Sequence, residues 1–470
     1  MLIHVVKPGE SLWQIAVNYG VTLQALLNAN RPPNPNRLVV GQSLVIPTEA
    51  VYHTVQSGET LWSIAGEYNT TVQVIAQANR ITDPSRIYPG MQLYIPEVRH
   101  QVQSGETLYQ IAQRYGVPLQ ELVRINNIQD PNRVNAGTVL VIPRPKPVID
   151  VNGYLVNFGE SAVPIVNEVG QYLTYTSPFA YRITENGNLQ PVDDAPAIRA
   201  AYANRIVPML AITNFTSTEL GANLAHVVLS SPDLQEATIT NAINVMREKG
   251  YQALNVDFEN VLPEDRENYN SFMQRAANRL HPLGYSLSSA LAPKTGPTQT
   301  GLLYEAHDYA AHGRIADFVI LMTYEWGYRL GPPQAISPIN QIRRVLDYAV
   351  TVIPRNKIFF GFQIYARDWV LPWVAGQEAE TFSCQEAIAR AARFGAVIQY
   401  DYTAASPFFR YTDAQGRQHE VWFEDARSAQ TKFDTVIAYR LRGISYWALG
   451  YPFPENWTLL AGNFIIRKRV

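Results

Sequence analysis

At 470 residues the chain exceeds what one hydrophobic core usually serves, which calls for two or more domains. Lysine and arginine number 38 against 40 acidic residues, a net charge of −2, and this balance excludes the basic footprint of a nucleic-acid binder. The single cysteine, Cys384, excludes an internal disulfide, and no apolar run approaches the roughly 18 residues of a membrane span.

The first residues, "MLIHVVKPGE", lack the charged and apolar regions of a secretory signal, so a soluble chain without a classical signal peptide is expected. Internal similarity then sets the organisation. "HVVKPGESLWQIAVNYGV" from His4 returns as "HTVQSGETLWSIAGEYNT" from His53 and "HQVQSGETLYQIAQRYGV" from His100, and Gly9, Gly58 and Gly105 mark spacings of 49 and 47 residues. Each copy closes on a similar strand, "GQSLVIP", "GMQLYIP" or "GTVLVIP".

Within a copy, Ser11, Thr60 and Thr107 sit where a helix N-cap belongs, and Gln14 and Gln110 complete a capping box in copies one and three. Leu12, Ile15, Ala16 and Tyr19 recur at helical spacing, as do their counterparts from Leu61 and Leu108. A second helical stripe follows from Leu23, Val72 and Leu119, and Asn30, Asn79 and Asn126 suit the left-handed conformation that ends a helix. The expected unit is strand, helix, helix, strand, with boundaries at 1–48, 51–96 and 98–143. His4, His53 and His100 are expected as strand residues, and the eight histidines form no ligand spacing, so neither metal nor cofactor is expected.

These copies resemble the LysM module, which implies binding to N-acetylglucosamine chains of peptidoglycan or chitin. By that resemblance the sugar lies between the loop carrying Gly9, Glu10 and Ser11 (Gly58, Glu59, Thr60; Gly105, Glu106, Thr107) and the loop before the last strand.

"RPKP" at 144–147 reads as a short semi-rigid linker. From Val148 to Val470, eight apolar, β-branched runs alternate with helical stretches, the pattern of an α/β fold, here a (β/α)8 TIM barrel. In such barrels chemistry gathers at the C-terminal strand ends. The fourth run, "YQALNVDFE", places Asn255, Asp257 and Glu259 on one face toward the mouth, with Ala253, Val256 and Phe258 expected against the helices. The sixth brings Met322 and Tyr324, with Glu325 just beyond, and the eighth Trp447. Carboxylates, a phenol and an indole at one mouth suit a sugar: an acid for the leaving oxygen, a donor for an amide, a flat face for the ring. Tyr181, Asn214, Gln363, Asp368 and Trp369 also fall at strand ends and are expected to line the substrate. A segment at about 374–432 is expected as an insertion, with a hairpin around "DAQGRQ" and Trp422 as a sugar contact.

These motifs resemble glycoside hydrolase family 18, whose fourth strand carries Asp-x-x-Asp-x-Asp-x-Glu. Here the pattern reads Gln252, Asn255, Asp257, Glu259, so the last acid pair is kept and the first two aspartates are replaced. The resemblance implies retaining, substrate-assisted hydrolysis: Glu259 as the acid, Asp257 accepting the acetamido N–H, Tyr324 donating to the acetamido oxygen, Trp447 flooring the subsite. The charge of Asp257 is expected to raise the pKa of Glu259, with Asn255 hydrogen-bonded to Asp257. "GFQIYARDW", "VWFEDARS" and "NVDFEN" resemble the spore-germination branch of N-acetylglucosaminidases acting on cortex. That implies a monomeric peptidoglycan hydrolase at the spore coat or cortex, without nucleic acid or membrane partners. A chitinase acting on chitin oligomers and a non-catalytic glycan-binding coat protein are the alternatives.

Overall fold

The computed structural model describes residues 2–48, 51–55, 58–68, 70–143, 146–216 and 219–469. Half of the expected linker, Arg144 and Pro145, lies outside them. The chain divides into two compact units: Met1–His4, Leu12–Ala29 and Val45–Pro147 in one, Val5–Ser11, Asn30–Leu44 and Val148–Val470 in the other.

Each repeat folds as strand, helix, helix, strand. In the second, Val51–Thr54 pairs antiparallel with Gln92–Ile95 around helices Leu61–Glu67 and Val72–Ala78. Leu61, Ile64, Ala65, Tyr68, Ile75, Leu93 and Ile95 make its core, the stripe that the helical spacing marks. Thr107 and Gln110 form the expected capping box in the third repeat, and Thr60 forms one in the second with Ser63, where serine takes the part usually played by glutamine. Asn79 and Asn126 are not left-handed, at φ −104° and −96°; the turn falls one residue later, on Arg80 and Asn127 at φ 55° and 51°. The asparagines instead bind the closing strand as a substitute backbone. Asn126 Nδ2 donates to Val141 O at 2.7 Å and its Oδ1 accepts from Val141 N at 2.8 Å; Asn79 does the same with Tyr94. The repeat histidines are held by tyrosine and, in repeats two and three, by the loop glutamate: His53 Nε2 lies 2.7 Å from Glu59, and His100 Nε2 lies 2.7 Å from Glu106.

Beyond the repeats, eight parallel strands close a barrel: β1 (Val148–Leu155), β2 (Tyr175–Pro178), β3 (Val207–Thr213), β4 (Ala253–Asp257), β5 (Ser286–Leu291), β6 (Phe318–Leu321), β7 (Ile358–Gln363) and β8 (Gly443–Leu449). All eight correspond to the apolar runs of the sequence. Helices between them end on local signals; Pro232–Lys249, which leads into β4, starts at the N-cap Ser231 with proline at its first position and stops at left-handed Gly250.

Tyr154, Tyr175, Met209, Ala211, Ala253, Phe318, Ile320 and Phe359 fill the barrel. Ala253 therefore points inward, not toward the helices, because a period of two places it on the face of Asn255 and Asp257. Phe258 does face outward, against Tyr269 and Phe272 of helix Arg266–Leu280.

The insertion after β7 is a five-stranded antiparallel sheet in the order Glu380–Ser383, Tyr365–Leu371, Gln418–Trp422, Ser406–Thr412, Gln399–Asp401, with helix Cys384–Phe394. It starts earlier and ends earlier than 374–432, because Tyr365–Leu371 opens a new sheet instead of extending β7, and Ala426–Tyr439 is a helix leading to β8. The hairpin turns where "DAQGRQ" marks it, with Asp413 N donating to Arg417 O at 2.9 Å.

Because Asn126 satisfies both backbone groups of Val141, Asn126→Ala is expected to cost the third repeat about 1–3 kcal/mol. Hydrogen exchange of the full chain should show the Val141 amide speeded by roughly tenfold or more with Tyr94 unchanged.

Candidate active site

β4 carries the acid pair to the C-terminal mouth in a register fixed by its neighbours, with Thr213 of β3 beside Asp257 and Ser288 of β5 beside Asn255. Asp257 is buried, and its Oδ1 has no hydrogen-bond partner among the described residues. Burial, then the neighbouring Glu259, pushes its pKa well above the carboxylate range. Glu259 stands one step further out and is partly exposed. Desolvation, then the charge of Glu325, pushes it up to about 7. The direction matches the expectation for Glu259, but its leading cause is burial, and the neighbour responsible is Glu325 where Asp257 was expected.

The backbone around Glu259 is fastened on both sides. Asn214 Nδ2 donates to Glu259 O at 2.7 Å and its Oδ1 accepts from Glu259 N at 2.9 Å. His307 takes Ala292 N on Nδ1 at 2.8 Å and contacts Phe258 O through Nε2 at 2.9 Å. An N–H can only donate and a carbonyl only accept, so the ring is the neutral Nε2–H tautomer, and burial pushes its pKa down to about 4.

Met322, Tyr324 and Trp447 come together with Ala290, Ala292, Leu303 and Tyr304, as the strand ends suggest. Burial and the nearby acids push the Tyr324 hydroxyl well above its usual pKa, so it remains a donor. Trp447 meets Phe179 edge to face at 4.8 Å and Tyr154 at 5.5 Å. Tyr154, missed in the sequence, donates to Asn255 Oδ1 at 2.8 Å, and Asn255 Nδ2 donates to Ser288 Oγ at 3.0 Å. Both ends of the Asn255 amide are thus taken by Tyr154 and Ser288, where a bond to Asp257 was expected. The signal for Tyr154 was its place near the end of β1, at a barrel-facing position.

Glu325 is left-handed at φ 70° and tied to the insertion. Arg367 grips it twice, Nη1 to Oε2 at 2.8 Å and Nη2 to Oε1 at 2.9 Å, and Tyr365 donates to Oε1 as well.

The other expected lining residues are engaged elsewhere. Tyr181 is buried and donates to Asp194 at 2.7 Å. Gln363 is buried between Ser337 and Glu424, and Glu424 pairs with Lys432 at 2.7 Å. Asp368 accepts from Arg390, Tyr411 and His419 inside the insertion, and Trp369 donates to Gly331 O and packs on Trp422. Trp422 itself is buried, stacked on Phe408 at 4.7 Å. Their strand-end positions are as expected; their polar atoms serve the protein. In the repeats, Gly58 and Gly105 adopt φ 86° and 83°, and Thr60 and Thr107 serve as caps.

A family model described as Glycosyl hydrolases family 18 matches residues 171–451. The chain belongs to this family. A model for the LysM domain matches residues 4–47, 53–96 and 100–143. The chain is 45% identical to the cortical fragment-lytic enzyme of Bacillus subtilis, an alignment spanning 100% of this chain and 99% of that protein. It is 43% identical to the enzyme of the same description from Bacillus cereus over 66% of this chain and 72% of the relative. The crystal structure of the Bacillus megaterium spore cortex-lytic enzyme SleL matches with a TM-score of 0.78 at 36% identity, covering 100% of this chain and 99% of that one. A chitinase from Chromobacterium violaceum matches with a TM-score of 0.62 at 26% identity over 67% of this chain and 98% of its own. The chain is a family 18 glycosidase with three LysM repeats.

An acid with a pKa near 7 loses its proton, and its use, as pH rises above that value. Glu325→Gln removes a negative neighbour, so the alkaline limb of the kcat/KM profile should move to lower pH. Arg367→Gln leaves Glu325 uncompensated and should move it upward. Equal profiles for both variants and the wild type would contradict the assignment. Stability follows the same sign: a carboxyl with a raised folded pKa stabilises below its unfolded value of 4.5 and loses that contribution as pH rises through about 7. Glu259→Gln should therefore raise Tm above that of the wild type at pH 8 and change it less at pH 5.

Proposed function

We propose that the protein hydrolyses spore-cortex peptidoglycan as an N-acetylglucosaminidase, by retaining, substrate-assisted catalysis, with LysM repeats holding it on the polymer. The observation that carries the mechanism is the buried Asp257 carboxyl, whose Oδ1 lacks a partner among the described residues while a protonatable Glu259 stands beside it and its charge is felt by the Tyr324 hydroxyl. An acetamido group offers what this arrangement wants: an N–H for Asp257 and a carbonyl oxygen for Tyr324. Held in that way, the acetamido oxygen attacks the anomeric carbon as Glu259 protonates the leaving oxygen, and no protein nucleophile is needed. Water then opens the oxazolinium with net retention, Glu259 acting as base.

Accepting the substrate N–H favours the ionised form of Asp257. Asp257 and Glu259 share their protons as a coupled pair, so substrate binding drives the proton onto Glu259, where the chemistry uses it. Trp447, partly exposed among Tyr154, Phe179 and Met322, supplies the apolar floor for the sugar ring. The choice of cortex over chitin is supported by the full-length likeness to a cortical fragment-lytic enzyme, against a chitinase likeness over 67% of the chain.

The test is mass spectrometry, after borohydride reduction, of spore cortex, vegetative peptidoglycan and chitin oligomers incubated with wild type and Glu259→Gln. New reducing-end N-acetylglucosamine from cortex is expected with wild type. Glu259→Gln should be slower by about 10²–10⁴-fold, the usual contribution of a general acid. Cleavage of chitin oligomers alone would transfer the assignment to chitin, and reducing-end muramic acid would refute the glucosaminidase.

A further inference from the structure

The three repeats share a sequence pattern, but their closing loops differ in surroundings. In repeats two and three the glycine before the last strand, Gly90 or Gly137, has open space where a Cβ would stand. The strands that follow begin on exposed residues, Gln92 and Val139. The counterparts in repeat one, Gly41 and Ser43, are buried, and so are Asn30, Val39 and Gln42. A Cβ on Gly41 would come within 1.9 Å of the carbonyl oxygen of Ile398.

What covers this loop is the insertion and the helix after it. Ile398 N donates to Val40 O at 2.9 Å, immediately before Gln399–Asp401, the edge strand of the insertion sheet. Ala426 N, at the start of helix Ala426–Tyr439, donates to Ser43 Oγ at 3.1 Å. Arg427 Nη2 donates to Gly41 O at 3.1 Å while its guanidinium lies 4.4 Å over the ring of Tyr400. Gln385 Nε2 reaches Asn30 O at 3.4 Å. Every one of these residues falls within the unit formed by Val5–Ser11, Asn30–Leu44 and Val148–Val470.

We propose that Asn30–Leu44 of the first repeat is a built-in part of the catalytic unit and not a glycan-binding loop, so that repeats two and three alone hold the polymer. The second clause rests on the reading that LysM loops bind glycan; the first does not.

The protein offers a clean test, because its one native cysteine, Cys384, is buried and will stay unreactive in the folded chain. Ser43→Cys, Gln92→Cys and Val139→Cys are made separately in the full chain and treated with a bulky maleimide. The Gln92 and Val139 variants should label fast and then lose retention on insoluble peptidoglycan. Ser43→Cys should label at least about 100-fold more slowly, since reaction requires local opening. Labelling of Ser43→Cys within about threefold of the other two would overturn the proposal. If Ser43→Cys does not fold, hydrogen exchange of the unmodified chain decides: a protected Ile398 amide supports the docking, and exchange at loop rates refutes it. Retention undiminished after labelling at 92 and 139 would refute glycan binding by these loops and leave the docking of Asn30–Leu44 to be judged on its labelling rate.

Discussion

A carboxyl buried at the mouth of a closed barrel, with a second carboxyl beside it, resists ionisation, and the catalytic unit is organised around that electrostatic constraint. Desolvation alone favours their neutral forms; Glu259 adds to the difficulty of ionising Asp257, and Glu325 adds to that of Glu259. The groups that surround Asp257 answer with dipoles and not with cations. Asn255, Tyr154 and Ser288 form a neutral chain of hydrogen bonds below it, and Tyr324 stands near it as a phenol. A lysine or arginine beside Asp257 would ionise it permanently and leave Glu259 without the partner that shares its proton. The arginine that does approach, Arg367, is taken by Glu325.

Glu325 links the barrel to the insertion. Its left-handed backbone follows the end of β6, and its carboxylate is received by Tyr365 and Arg367 on the first insertion strand. Along that strand the period of two separates two jobs. Tyr365, Arg367 and Trp369 face the loop after β6, binding Glu325, Gly327 O and Gly331 O, whereas Asp368 faces Arg390, Tyr411 and His419 within the insertion. The insertion therefore acts on the acid through a single charged residue that it holds in place, not by walling the cleft with tryptophans.

The elements and the acid pair were legible because their signals are local. Helical spacing, caps, and a strand period that brings Asp257 and Glu259 to one mouth all lie within a few residues of each other. What sequence could not reveal is whom a polar side chain at a strand end serves. Asn214 sits where a substrate contact would sit, yet its amide is complementary to the N–H and C=O of one residue in β4's continuation and fastens Glu259. Gln363 and Asp368 are likewise satisfied by partners 61 and 51 residues away, Glu424 and His419, which no local pattern links to them. Tyr154 was overlooked for the converse reason: a tyrosine in an apolar strand looks like core, and it is core, except that its hydroxyl orients Asn255.

The repeats show the same limit at a larger scale. "GQSLVIP", "GMQLYIP" and "GTVLVIP" are interchangeable as strands, and all three take the same fold. Yet the loop before the first is packed on Ile398 and Ala426, and those before the others face solvent at Gly90 and Gly137. A left-handed glycine explains why one loop can serve both situations. Without a Cβ it exposes a flat stretch of backbone, which a neighbouring strand edge can approach as closely as a ligand can. Duplication of such a module supplies copies whose backbone is already suited to being bound, and the surroundings of each copy decide by what.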